Sequence, residues 1–128
     1  MSIPFKPIER GQPGVVGGGE KKFYASPELS GTIDLDGVTS RIEKISTMSG
    51  GDIRGVLYTM VDVIVQELAE GRSVRMGDLG SLRVSFSSEG HATADEVSAT
   101  SVKSTRVIFS PGKRIRNMLG NLSFRKAN

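Results

Sequence analysis

Val74-Arg75-Met76-Gly77-Asp78-Leu79-Gly80-Ser81-Leu82 reads as a short strand, a glycine-punctuated turn and the start of a second strand. Further on, Val107-Ile108-Phe109-Ser110-Pro111-Gly112-Lys113-Arg114-Ile115 reads as a strand that passes through Pro-Gly directly into a basic helix. The strands are expected over 72–76, 80–86 and 103–109. Leu82, Val84 and Phe86 alternate with Arg83 and Ser85, so one face is apolar and the other polar. On the returning strand Val107 and Phe109 face one way, Arg106 and Ile108 the other. Pro111 suits the first turn of the closing helix, where its missing N–H costs nothing. Ile115, Met118 and Leu119 form the apolar side of that helix.

Residues 87–102 lack a core pattern and are expected to project from the body as an excursion. Upstream, Ile53, Leu57, Met60, Val61, Ile64, Val65 and Leu68 recur at helical spacing, the strongest helix signal in the chain. Ser49 followed by Asp52 resembles a capping box at its start, and Gly71 suits the C′ position at its end. The apolar stripe is wide for a single neighbour, which predicts burial against both its own domain and a partner chain. A first helix is expected over 38–48, with Val38, Ile42 and Ile45 on one side. Asp34 and Asp36 before it also fit a cation loop. Without further ligands at loop spacing, capping and turn chemistry is the expectation.

Residues 1–20 are expected as a flexible leader, since Pro4, Pro7 and Pro13 oppose helix and Gly17-Gly18-Gly19 is a joint. That glycine run follows no strand and precedes no Lys-Ser/Thr, so it is not a phosphate loop. Lys22-Phe23-Tyr24-Ala25 and Thr32-Ile33-Asp34-Leu35 are strand-like, and a last short strand is expected around Phe124. A domain is thus expected over 21–128.

The chain of 128 residues has no Cys and no Trp. Disulfides, zinc-thiolate sites and Cys nucleophiles are excluded, and no run approaches a membrane helix. The N-terminus lacks the apolar stretch of a secretory signal. Net charge is only +3, but it is unevenly spread. Residues 28–71 carry −5, while residues 72–128 carry +6, with five bases and no acid after Pro111. This is the footprint of a polyanion-binding face. A solubilising basic tail produces the same pattern, and charge alone does not separate the two.

In order and in motif the chain resembles the HU/IHF family of bacterial histone-like DNA-binding proteins. The family's Gly-Phe-Gly-Thr/Asn-Phe turn is matched by Asp78, Leu79, Gly80, Ser81 and Leu82. Its Phe-x-Pro/Ala-Gly-x-x-Leu return is matched by Phe109, Ser110, Pro111, Gly112, Lys113, Arg114 and Ile115. The likeness covers about residues 37–120. Phe23-Tyr24-Ala25, Thr32-Ile33-Asp34-Leu35 and Ser87-Ser88-Glu89-Gly90 look closer still to the extended HU-like proteins of Bacteroidetes-type bacteria. The resemblance implies an α+β, HU/IHF-like fold. Two N-terminal helices, an antiparallel sheet with a projecting β excursion and a short C-terminal helix would assemble into an intertwined homodimer, or a heterodimer with a paralogue. It also implies a nucleoid-associated, cytoplasmic protein that binds double-stranded DNA through phosphates. No catalysis, cofactor, metal, membrane or small-molecule substrate would be involved.

In that family a saddle of strands faces DNA and the start of the last helix touches phosphates. Arg75, Arg83, Lys103 and Arg106 would line the saddle, and Lys113, Arg114 and Arg116 would meet phosphates at the helix start. Each is equally a candidate solvated surface cation. The family's excursion is an Arg- and Lys-rich arm tipped by Arg-Asn-Pro, whose proline wedges between base pairs. Here no proline occurs between residues 28 and 110, and no Lys or Arg between Phe86 and Val102, where His91 meets Glu89, Asp95 and Glu96. Strong kinking is therefore not expected. The depleted arm also fits an alternative, an HU-fold protein-interaction module that has lost DNA binding. His91 is expected to stand alone in a polar loop, and the serines, Ser98 and Ser101 among them, to lack a partnering base.

Overall fold

The computed structural model describes residues 2–127, which divide into two bodies: residues up to Ile33 together with those from Met118 onward, and Asp34–Asn117. This division differs from the expected leader and single domain, because both ends of the chain fold together. The expected leader contains strand β1 (Ile3–Arg10), which pairs antiparallel with β2 (Lys22–Pro27) and parallel with β6 (Phe124–Lys126), in the order β2-β1-β6.

Two prolines in a middle strand are unexpected, since proline donates nothing to a ladder. The register explains Pro7, while Pro4 stands at the end of the ladder, where it accepts but does not donate. Glu28 N–H donates to the Pro4 carbonyl at 2.8 Å, so the hydrogen-bonded pairs across β1 and β2 fall on Pro4, Lys6, Ile8 and Arg10. Pro7 lies in the non-bonded row, opposite Ala25, where no donor is required. The β6 pairing covers only Ile3 to Phe5, so no second neighbour asks Pro7 for an N–H.

In the other body, α1 (Leu35–Ile45) and α2 (Gly50–Ala69) precede a second sheet of order β3-β4-β5: β3 (Val74–Arg75), β4 (Gly80–Ser88) and β5 (Val102–Pro111). Thr32-Ile33-Asp34-Leu35 is not a strand. Asp34 instead caps α1, accepting from Gly37 N–H at 2.9 Å, and Asp36 pairs with Arg54 of α2 at 2.8 Å. The capping expectation thus holds for Asp34, whereas Asp36 is held in an ion pair. Ser49 Oγ accepts from Asp52 N–H at the start of α2. At its end Gly71, with φ +83°, donates to the Leu68 carbonyl while Arg72 N–H reaches the Glu67 carbonyl. These two bonds make a Schellman motif, and the left-handed conformation it requires favours glycine.

The core of this body is thin. Ile53 is the one large apolar side chain fully buried among the described residues, at 3% exposure, while Val56, Val61, Val63 and Val65 of α2 are all half-exposed. An open apolar groove of about 810 Å³ runs along α2, lined by Met48, Val56, Met60, Val63, Ile64 and Met76 among others. Thr39 is buried on α1 and its hydroxyl has no hydrogen-bond partner among the described residues.

The last helix, α3, spans Lys113–Gly120. Pro111 lies outside it, as the final residue of β5 opposite Gly80. The reason is that Gly112, rather than Pro111, holds the cap position: its carbonyl accepts from Arg116 N–H at 2.9 Å.

Candidate nucleic-acid interface

Strand alternation decides which cations share a face. In the register Val74↔Leu82↔Phe109 and Val84↔Val107, the apolar side chains of the second sheet, Ile108 apart, lie on one side. Arg75, opposite Ser81, and Arg83, opposite Ile108, lie on the other, with Arg106 opposite Ser85. Arg75 is therefore diagonal to Arg83, and Arg83 diagonal to Arg106. Such neighbours stand about 7–8 Å apart. Three exposed arginines thus cross three strands in one line, and none of them is ion-paired among the described residues. Small Ser81, Ser85 and Ser110 share this face and leave the guanidinium groups accessible.

Lys103 does not join them. Three residues from Arg106, it alternates out of phase with the arginine face, at the irregular end of the ladder, and its ammonium lies 2.8 Å from the Glu89 carboxylate.

The start of α3 is held against the β3–β4 turn. Gly112 N–H donates to the Leu79 carbonyl at 2.9 Å, and a Cβ at position 112 would collide with the Asp78 carbonyl. That close approach explains the glycine at this junction. Beside it lies a polar cleft of about 350 Å³ lined by Arg75, Ser81, Ser110 and Gly112 among others. Lys113 and Arg114 occupy the first turn of α3, Arg116 follows, and the first turn holds no acid. All three side chains are exposed, while Ile115 is half-buried. Cations at the positive end of a helix dipole each cost about 0.3–1 kcal/mol. Their presence there is intelligible where a polyanion offsets that cost.

The excursion is more ordered than its composition suggests. Residues 89–101 fold back through short 3-10 turns at Ala94–Glu96 and Ala99–Ser101. Ser101, at 2% exposure, accepts from Ser98 N–H at 3.1 Å, and its carbonyl accepts from Glu89 N–H at 2.8 Å. His91 Nε2 lies 2.8 Å from Ser101 Oγ, and Nδ1 lies 3.8 Å from a Glu96 oxygen. His91 is therefore not isolated, and Ser101 does have a partnering base, because loop folding joins residues ten apart in sequence. The hydroxyl is enclosed, however, and already bonded on two sides, so this trio clasps the loop and offers a substrate no nucleophile. Among the described residues no group of His, Cys, Asp and Glu is placed to hold a metal ion, and no helix is long and apolar enough to cross a membrane.

Comparison with known proteins agrees with this geometry. The fold matches a solved structure described as a "Putative bacterial DNA binding protein" from Bacteroides vulgatus ATCC 8482, with a TM-score of 0.66 and 19% sequence identity. The match covers 98% of this chain and 49% of that one, so the chain spans about half the length of that structure. No curated protein matches the chain. A family model described as an HU domain fused to wHTH, Ig, or glycine-rich motif matches residues 1–126. With nearly its whole length matched, the chain belongs to this HU-HIG family.

Proposed function

We propose that the chain binds double-stranded DNA through its phosphates, as a dimer, with little base readout, in an architectural role at the nucleoid. The observation that carries the reading is the cationic start of α3, where Lys113 and Arg114 stand in an acid-free first turn against the helix dipole. The diagonal of Arg75, Arg83 and Arg106 supplies a second set of unpaired cations on the β3-β4-β5 sheet. Lys103, held by Glu89, contributes less.

Surface area supports the dimer. The chain exposes 10338 Å², whereas two separate compact bodies of these sizes would expose about 7,900 Å². Large apolar side chains are among those exposed, including Val56, Val63, Val84, Phe86, Val107 and Phe109. A surface of that kind fits an obligate interface between two copies.

One observation favours a second reading, an HU-fold module that contacts protein. The tip of the excursion carries Glu89, Asp95 and Glu96, and its flanking Lys103 is already neutralised. Phosphates would repel such a tip.

A fluorescence-anisotropy titration of a labelled 30-base-pair duplex, at several salt concentrations, separates the readings. Saturable binding is expected, weakening with a log–log slope of about −0.9 per phosphate contact. Absence of binding at low salt by a folded protein would exclude the DNA reading and leave the protein-interaction module.

A further inference from the structure

The terminal sheet has two chemically opposite faces. Ile3, Phe5, Ala25, Pro27 and Phe124 share one face and line an apolar cavity of about 430 Å³. Strand alternation places Lys6, Arg10, Lys22 and Arg125 on the other, together with Ile8, Tyr24 and Ser26. No acid of the three strands shares that second face. Glu9 alternates away from it, and Glu28 stands just beyond β2, at the Pro4 end.

Arg10 and Lys22 are direct cross-strand partners, an arrangement in which like charges repel. Neither is ion-paired among the described residues, nor is Lys6. The Arg10 guanidinium instead lies 4.9 Å from the centre of the Tyr24 ring. A guanidinium held on an aromatic face keeps its N–H edges free and loses little freedom when it takes a phosphate. Arg125 is oriented by the Ser2 carbonyl and hydroxyl, at 2.7 and 3.0 Å. From Lys6 to Arg10 the strand rises about 13 Å. Over that length one DNA strand presents about four phosphates.

Lys6, Arg10, Lys22 and Arg125 are all exposed to solvent. We propose that this face, built on Lys6, Arg10 and Lys22 with Arg125 on the neighbouring strand, is a second contact with the phosphate backbone of duplex DNA. It is separate from the start of α3. The inference rests on the reading of the chain as a DNA-binding protein, and it assigns to the joined termini a share of the grip.

The test uses the full chain and the labelled 30-base-pair duplex, titrated across salt. The triple variant Lys6→Gln, Arg10→Gln, Lys22→Gln is compared with the double variant Lys113→Gln, Arg114→Gln. The triple variant is expected to lower the slope of log affinity against log salt by about 2–3 for each protomer engaged. Unrelated duplex sequences should be affected alike. Arg10→Lys, which keeps the charge and loses only the stacking geometry, should retain most of the slope, separating charge from folding. An unchanged slope in the triple variant, with the double variant impaired, would overturn this inference and leave the α3 reading standing. An impaired triple variant beside an unaffected double variant would support the terminal face and refute the α3 contact. Failure of the wild-type protein to bind would overturn both.

Discussion

Replacing Lys113 and Arg114 by glutamine should make the protein more stable and at the same time a weaker DNA binder. Both residues lie in the first turn of α3, immediately after Gly112, whose carbonyl accepts the first helical hydrogen bond from Arg116 N–H at 2.9 Å. Each cation there opposes the helix dipole by about 0.3–1 kcal/mol at low ionic strength. Removing two relieves about 0.6–2 kcal/mol. Both side chains are exposed, so salt screening holds the gain to the lower part of that range. For a chain of this size the melting temperature should rise by roughly 2–5 °C. If each side chain meets one phosphate, the salt slope falls by about 1.8 per protomer, equivalent to binding about 60-fold weaker at 0.1 M salt relative to a 1 M reference. Thermal melts by circular dichroism and anisotropy titrations on the same samples read both quantities. A lower melting temperature with an unchanged slope would refute the reasoning, because the cations would then stabilise the fold and stand off the interface.

Three further changes probe the frame around the site. Thr39→Val removes a buried hydroxyl that has no partner, so stability to urea should hold or rise by about 1 kcal/mol, and a clear loss would show that the hydroxyl is satisfied. Gly112→Ala drives a methyl into the Asp78 carbonyl at the turn that seats α3, which should cost about 1–3 kcal/mol; an unshifted urea midpoint would mean that the turn yields instead. Val63→Glu places a charge in the apolar groove along α2 and should convert the proposed dimer to monomer in sedimentation velocity. A wild-type protein that sediments as a monomer would dismiss the dimer.

Local chemistry made much of the core legible. The 3.6-residue spacing from Ile53 to Leu68, Ser49 and Gly71 at its ends, and the alternation of Leu82 with Arg83 each carry their own signature, because helix caps and strand pleats depend on near neighbours. The cluster Lys113, Arg114 and Arg116 was equally plain, since Pro-Gly marks the helix start from sequence alone. The odd spacing of Lys103 from Arg106 already sets it out of phase with the arginine face, but its pairing with Glu89 was not legible, because the irregular end of the ladder and the folding of the loop decide it. Nor was the clasp of His91 on Ser101 visible, for a ten-residue loop closure has no periodicity.

The sequence by itself determined the helices, the strands of the arginine-bearing sheet and the uneven charge, all of which follow from interactions a few residues long. Only the tertiary structure decided that Ile3 to Arg10 is a strand, that it pairs with Phe124 to Lys126, and that Lys6, Arg10, Lys22 and Arg125 therefore share a face. Two prolines made that segment read as a leader. What makes it a strand is the set of hydrogen bonds offered by partners elsewhere in the chain, including the far end, and the row in which those bonds leave Pro7 with nothing to donate.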